Sequence, residues 1–350
     1  MTGAERLLAA CRGEPVDTTP VWFMRQAGGS LPAYLALRER HSVMDIARTP
    51  ALCAEVTVTA AETLGTDGAV LFADIMLPVE AMGVALSLTA DGPVIAHPVR
   101  TPADVARLRT VDVAADLGFV VEAIAAARAA LGDRAAVVGV AGGPFTLAAY
   151  LIEGGPSRDQ STARRLAHAE PDLWATLLDR ITATSVDYVT AQVQAGAQVI
   201  QIFDSWAGSL SPADYGRLVA PWSWRILDAV RRAGAPVVHF AAAGGNLLEL
   251  LAVGADVVAV DATQSLFVAR ARLGTLPVQG NLDPARFAAG WPVVAAAVDQ
   301  VLKANRGRFG HIFNTGHAVP RDTDPGRLRD VVSLVHELGR SGAGRRRVVA

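Results

Sequence analysis

Apolar residues gather in eight short runs, at 21–24, 69–72, 137–140, 199–203, 237–240, 257–260, 277–280 and 311–313. The runs are continuous rather than alternating, which is how a strand buried on both faces of a parallel sheet reads. Longer stretches rich in Ala, Leu, Arg and Glu separate them and predict helices over 102–108, 120–131, 171–194, 212–233, 247–253 and 285–303. Pro171, Pro212 and Pro284 stand where a first helical turn tolerates proline. Strand and helix alternating along one chain predict an α/β protein with a single parallel sheet.

The polar positions sharpen this. The strands end in Arg25-Gln26, Asp74, Gly142-Gly143-Pro144, Asp204-Ser205-Trp206, small residues after Phe240, Asp261, Asn281-Leu282-Asp283-Pro284 and Asn314-Thr315-Gly316-His317. Eight buried strands, each followed by a turn with reactive or permissive residues, predict one distorted (β/α)8 TIM-type barrel with its active site at the C-terminal ends of the strands. Residues 79–98 carry Gly83, Gly92, Pro93 and Pro98 and predict a hairpin-like excursion over the barrel mouth.

Composition narrows the function. The chain has 350 residues, 51% hydrophobic and 19% charged, enough for one large core over residues 1–338. A basic tail, 339–350, with Arg345-Arg346-Arg347, is expected to be disordered. A net charge of −2 gives no general attraction for nucleic acid. No apolar run approaches the roughly 20 residues of a membrane-spanning helix, and Met1 to Ala10 lack the layout of a secretion signal. Cys11 and Cys53, in no metal-binding spacing, suit a reducing compartment. The expectation is a soluble cytoplasmic protein with no membrane or nucleic-acid partner.

Seven motifs occur in order: Pro20-Val-Trp-Phe-Met-Arg-Gln-Ala-Gly28, Leu71-Phe-Ala-Asp-Ile75, Gly143-Pro-Phe-Thr-Leu147, Ala149-Tyr-Leu-Ile-Glu-Gly-Gly155, Phe203-Asp-Ser-Trp-Ala-Gly208, Gly280-Asn-Leu-Asp-Pro284 and Phe313-Asn-Thr-Gly-His317. Together they resemble the uroporphyrinogen decarboxylase family of haem biosynthesis, from about Arg6 to Leu338. The resemblance implies a cofactor-free, metal-free homodimeric carboxy-lyase whose clefts face each other. The small-molecule substrate would be a tetrapyrrole, uroporphyrinogen III, whose four acetate side chains become the methyls of coproporphyrinogen III.

The residues support distinct roles. Asp74 follows a buried strand, where a carboxylate is costly unless it meets donors or a cation. The converging pyrrole N–H groups would be such donors, and a carboxylate there would stabilise a protonated pyrrole. Arg25 opens a glycine turn at a strand end, and a substrate with eight carboxylates calls for guanidinium forks; the resemblance makes it a substrate ligand and candidate proton donor. Tyr150 would contact the substrate and hold Asp74. Ser205 lacks a nucleophile elbow and reads as a donor to a substrate carboxylate, while Asp204 reads as the cap of the turn that follows it. His317 would bind a carboxylate or relay a proton. Arg38 would add positive potential from the following helix. Gln26, Ala27, Gly28 and Gly29 would line the substrate through the first turn. His239, inside an apolar strand, reads at least as readily as a satisfied core or rim histidine as a functional one.

The chain departs from the family pattern in places. Arg-Gln-Ala-Gly-Arg-Tyr becomes Arg25-Gln26-Ala27-Gly28-Gly29-Ser30, losing a pocket arginine that water or another basic residue would have to replace; Arg158 and Arg321 lie near other motifs, and the sequence alone does not place them. Asp-Trp becomes Asp261-Ala262, and Gly-His-Gly becomes Gly316-His317-Ala318. These changes keep open a divergent paralogue that binds or decarboxylates a different tetrapyrrole. A methyltransferase of the same superfamily needs thiolate-bound zinc, and Phe-Ala-Ala after His239 offers no cysteine. A sugar-phosphate barrel would need a phosphate-binding glycine turn after strands seven and eight, and none is evident.

Overall fold

In the computed structural model, which describes residues 1–89 and 92–343, seven of the apolar runs form a curled parallel sheet. Strand β1 (Gly68–Val70) is followed by an antiparallel hairpin, β2 (Leu86–Thr89) and β3 (Gly92–Ile95). Strands β4 (Ala136–Gly142), β5 (Val199–Phe203), β6 (Val237–Phe240), β7 (Val257–Ala259), β8 (Val278–Gln279) and β9 (His311–Ile312) then pair with β1 in the order β1-β4-β5-β6-β7-β8-β9.

The run at 21–24 takes the eighth place and closes the ring. Val21 bridges Phe313 in parallel, Phe313 N donates to Pro20 O at 2.8 Å, and Trp22 N donates to Phe313 O at 3.3 Å. On its other side Asp67 N, just before β1, donates to Val21 O at 2.8 Å. The run makes a bridge rather than a full strand for two reasons. Pro20 has no N–H to contribute, and a side chain, Asn314, takes the Met24 N–H at 3.0 Å in place of a ladder carbonyl. The fold is therefore the expected distorted TIM-type barrel.

Residue parity sorts the core. Trp22, Val138, Val140, Val238, Phe240, Val257, Ala259 and Ile312 pack together inside the ring, while their neighbours Val137, Ala141, Val237, Val258 and Val260 pack outward against helices. This is the two-sided burial that makes the runs continuous. The helix Gly3–Cys11 adds Leu7, Ala10 and Cys11 to the interior cluster and plugs the N-terminal end. Inside the ring Trp22 Nε1 donates to Gln279 Oε1, and Gln279 Nε2 to Gln201 Oε1, both at 3.0 Å.

The longest helix, Pro171–Gln194, has the expected bounds. The stretch at 212–233 splits into Pro212–Leu218 and Ala220–Ala233, because Pro221 cannot continue a helix but fits a first turn. The stretch at 285–303 is a 3-10 turn, Pro284–Ala288, then the helix Trp291–Ala304, parted at Gly290 and Pro292. The hairpin forms as expected and docks on the end of the helix Pro144–Glu153, with Ile95 N donating to Gly154 O at 2.8 Å. The closing helix extends over Pro325–Ala343, so the first five residues of the expected tail are helical, and 344–350 lie outside the described residues.

One carboxylate ties the closed ring to the chain ends. Asp67, 3% exposed, accepts from Arg6 Nη1 at 2.5 Å and from Val21 N and His336 Nε2, each at 2.8 Å. It joins the N-terminal helix, the closing run and the last helix. Asp67→Ala leaves the buried Val21 N–H without its acceptor and removes one of the two carboxylates of Arg6, which keeps Asp17, and is expected to cost about 1–3 kcal/mol in urea unfolding; a loss under about 0.5 kcal/mol, the range of a surface change, would show that the tie is not structural.

Candidate active site

All eight strand-end turns lie at one end of the ring, and the first is the most constrained. Arg25 has φ 65°, a left-handed conformation that costs a side-chain-bearing residue roughly 1–3 kcal/mol. The turn imposes it from several directions. Phe23 N donates to Gln26 Oε1 at 2.9 Å, Gln26 N donates to Phe23 O at 3.0 Å, Met24 N donates to Asn314 Oδ1, and Val319 N donates to Met24 O at 2.9 Å. The Gln26 amide also donates to Gly68 O at 2.8 Å and Thr66 Oγ1 at 3.2 Å, locking the turn to β1. The chain then passes through Gly28 at φ 107° and Gly29 at φ 61°. A Cβ on Gly28 would stand 3.3 Å from the Phe72 ring, so the aromatic wall rests on bare backbone.

This turn sets Arg25 in the electrostatic reach of Asp74, Tyr150, His317 and Arg321. Desolvation, then the like charge of Arg321, holds the Arg25 guanidinium below its usual range, against the opposing pull of Asp74 and Tyr150. Half-buried Asp74 is pushed up by desolvation; its Oδ1 accepts from Met76 N at 2.8 Å, and that bond and Arg25 act the other way. Tyr150 is raised, first by desolvation and then by Asp74. His317 has solvent access at the cleft yet enough protein around it that desolvation, then Arg25, lowers its pKa.

The walls are aromatic. Tyr150 stacks on Trp206 at 4.1 Å between centroids, Tyr34 packs on Phe72 at 5.4 Å, and Phe240 meets His317 edge-on at 6.5 Å. Such a cleft suits a flat, apolar ring system, and its unneutralised cation and carboxylate suit a charged periphery and a ring of N–H donors.

Of the expected site residues, the structure brings together Arg25, Asp74, Tyr150 and His317. Ser205 is half-buried next to Trp206 at the end of β5. Gln26 is different: its side chain is buried in the barrel wall and fully engaged there, so its part is to shape the turn. Ala27 and Gly28 are buried and Gly29 half-buried, offering backbone alone. Arg38 is exposed, donates to His41 O and acts on Tyr34, one step outward from Arg25. Asp204 caps a different element from the one expected. It accepts from Thr146 N and Oγ1, both at 2.8 Å, at the start of the helix Pro144–Glu153, because Gly143 lies directly against it. Its burial lifts its pKa to about 6. His239 is a core residue, with Nδ1 3.1 Å from Leu251 O.

The sequence alone gives Arg321, Tyr34 and Asn314 no place in the site. A signal for Arg321 exists, since it lies four residues past His317 in the last strand-end loop. Among the described residues no group of three or more His, Cys, Asp or Glu could hold a metal, and both cysteines are buried in helices. No helix among them is long and apolar enough to cross a membrane.

Two outcomes follow from this geometry. Asn314→Ala leaves the buried Met24 N–H without an acceptor, which is expected to cost about 1–3 kcal/mol of stability and to lower kcat by releasing the turn; unchanged kcat would show that Asn314 does not position Arg25. Burial lowers His239 from 6.5 to about 4. The unfolded chain therefore takes up that proton first, and the stability it contributes is full above about pH 6.5 and is lost as pH falls towards 4. Asp204, raised by burial, acts in the opposite sense, so the comparison is between variants: His239→Asn is expected to show a smaller fall in Tm than the parent between those limits, and parallel curves would contradict it.

Comparison with known proteins places the chain in a family. The family model for uroporphyrinogen decarboxylase (URO-D) matches residues 2–338. The chain is 44% identical over 335 residues to the uroporphyrinogen decarboxylase of Trichlorobacter lovleyi, covering 95% of this chain and 98% of that one. It is 45% identical over 334 residues to that of Syntrophotalea carbinolica, covering 95% and 97%. Among solved structures, a methyltransferase from Methanosarcina mazei superposes with a TM-score of 0.79 over 97% of this chain and 99% of that one, at 21% identity, a likeness of fold. With the family model spanning nearly its whole length, the chain belongs to the uroporphyrinogen decarboxylase family.

Proposed function

We propose that this chain is a carboxy-lyase that removes the four acetate carboxyls of uroporphyrinogen III, giving coproporphyrinogen III. Full-length identity above 40% to decarboxylases supports the reaction. The observation that carries it to this cleft is the meeting of Arg25 and Asp74, neither in an ion pair among the described residues, between aromatic walls.

Asp74 accepts hydrogen bonds from the pyrrole N–H groups and stabilises the cation formed when a pyrrole α-carbon takes a proton. Arg25 supplies or relays that proton, from a guanidinium whose hold on it desolvation weakens. The bond between the acetate methylene and its carboxylate then breaks. Carbon dioxide leaves, and the electron pair enters the protonated ring. A proton added to the exocyclic methylene makes the methyl, and loss of the α-carbon proton restores the pyrrole. The net exchange is one proton for one carbon dioxide at each ring. Tyr150 holds Asp74, and Ser205, His317 and Arg38 orient carboxylates around the periphery. Residues 1–338 act as one catalytic unit, working as a cytoplasmic homodimer.

The test is anaerobic incubation with uroporphyrinogen III, followed by oxidation and chromatography of the porphyrins. Stepwise loss of carboxyls ending at coproporphyrin is expected. Asp74→Gly should lower kcat by at least about a hundredfold, the scale of a lost electrostatic stabiliser, with Tm retained. Parent-like rates in that variant would remove Asp74 from the mechanism, and an unchanged octacarboxylate with the parent protein would reject the activity.

A further inference from the structure

Gly29 stands where the family pattern has an arginine, and its backbone keeps it side-chain-free. At φ 61° any L side chain is strained, and a Cβ there would lie 3.3 Å from Arg321 O and 3.8 Å from Arg321 Cα. The loop after β9 is seated on this turn: Ser30 Oγ donates to Thr323 O, and Val319 N bonds Met24 O. Arg321 is thus carried to the glycine turn that follows Arg25.

Its charge has no partner there. Neither Arg321 nor Arg25 forms an ion pair with any described residue, although Asp322 and Asp324 adjoin Arg321 in sequence. Arg321 nonetheless acts on both Arg25 and Tyr34. Two like charges held at one rim, neither closed into an ion pair, repel each other in the free protein, and an anion seated between them relieves that repulsion.

We propose that Arg321 is a substrate-binding residue, taking a peripheral carboxylate of the tetrapyrrole jointly with Arg25 from the side that Gly29 leaves bare. This rests on the decarboxylase reading for the identity of the anion, while the seating of Arg321 beside the first turn stands on the contacts of the last loop. The residue contributes affinity rather than chemistry, because it acts on Arg25 and Tyr34 and is not among the groups that shift Asp74.

The experiment combines fluorescence titration with uroporphyrin III, the oxidised octacarboxylate that is not turned over, and steady-state kinetics on uroporphyrinogen III. Arg321→Ala is expected to weaken uroporphyrin binding and raise KM about tenfold, the effect of one charge-assisted contact, with kcat changed less than about threefold and Tm unchanged. Arg321→Lys should recover part of the affinity, since it restores the charge without the fork. The gap between parent and Arg321→Ala should narrow as salt screens an exposed charge. Arg134→Ala, at the opposite end of the barrel beside the start of β4, should behave as the parent. Parent-like uroporphyrin binding and KM in Arg321→Ala would overturn the proposal. A parent protein that binds uroporphyrin without turnover would reject the decarboxylase reading, and the binding difference between parent and Arg321→Ala would still decide the role of Arg321.

Discussion

The left-handed turn at Arg25 depends on the closure of the barrel, and the site depends on that turn. The run at 21–24 is the last element needed to complete the ring, lying between β9 and the start of β1. Its Met24 is held at both polar atoms by the far end of the chain, Asn314 on one side and Val319 on the other. Gln26 fixes the same turn to β1. A conformation that is unfavourable in isolation persists because the surroundings determine it more than once. The strand that closes the barrel therefore also aims the principal cation.

The second consequence is electrostatic. At the end opposite the mouth, Asp67 is closed into an ion pair with Arg6. At the mouth Arg25 and Asp74 influence each other without joining, and Arg321 adds a like charge beside Arg25. A site left uncompensated in this way is less stable alone than it would be neutralised, and it regains that energy only when a ligand brings both carboxylates and N–H donors. An aromatic lining lowers the local dielectric and strengthens each of these interactions.

Much of this was legible in the sequence because burial on two faces leaves a continuous apolar run, and each strand-end turn announced its chemistry. Arg25, Asp74, Tyr150 and His317, three of them at strand ends, are legible that way as candidates, and the structure sets them in one another's electrostatic reach. What escaped was set by contacts distant in sequence. Gln26 reads as a cleft residue, but its amide is spent on Gly68 across the ring. Asp204 reads as a cap for its own turn, but a glycine at 143 lets a different helix start press against it. The split of 212–233 turned on Pro221, which the helical periodicity around it concealed. Arg321 could be suspected from the missing arginine at 29, but only the seating of the last loop on the first turn shows where it goes.

The central claim is that a tetrapyrrole lies with its inner N–H groups on Asp74 and its carboxylates on the arginine rim. A crystal structure with coproporphyrinogen III bound under anaerobic conditions tests it most directly. The account predicts pyrrole nitrogens within about 3 Å of the Asp74 carboxylate, the ordinary range of a charge-assisted hydrogen bond, and propionates on Arg25. A product seated away from Asp74, or one whose carboxylates point away from Arg25, would contradict it.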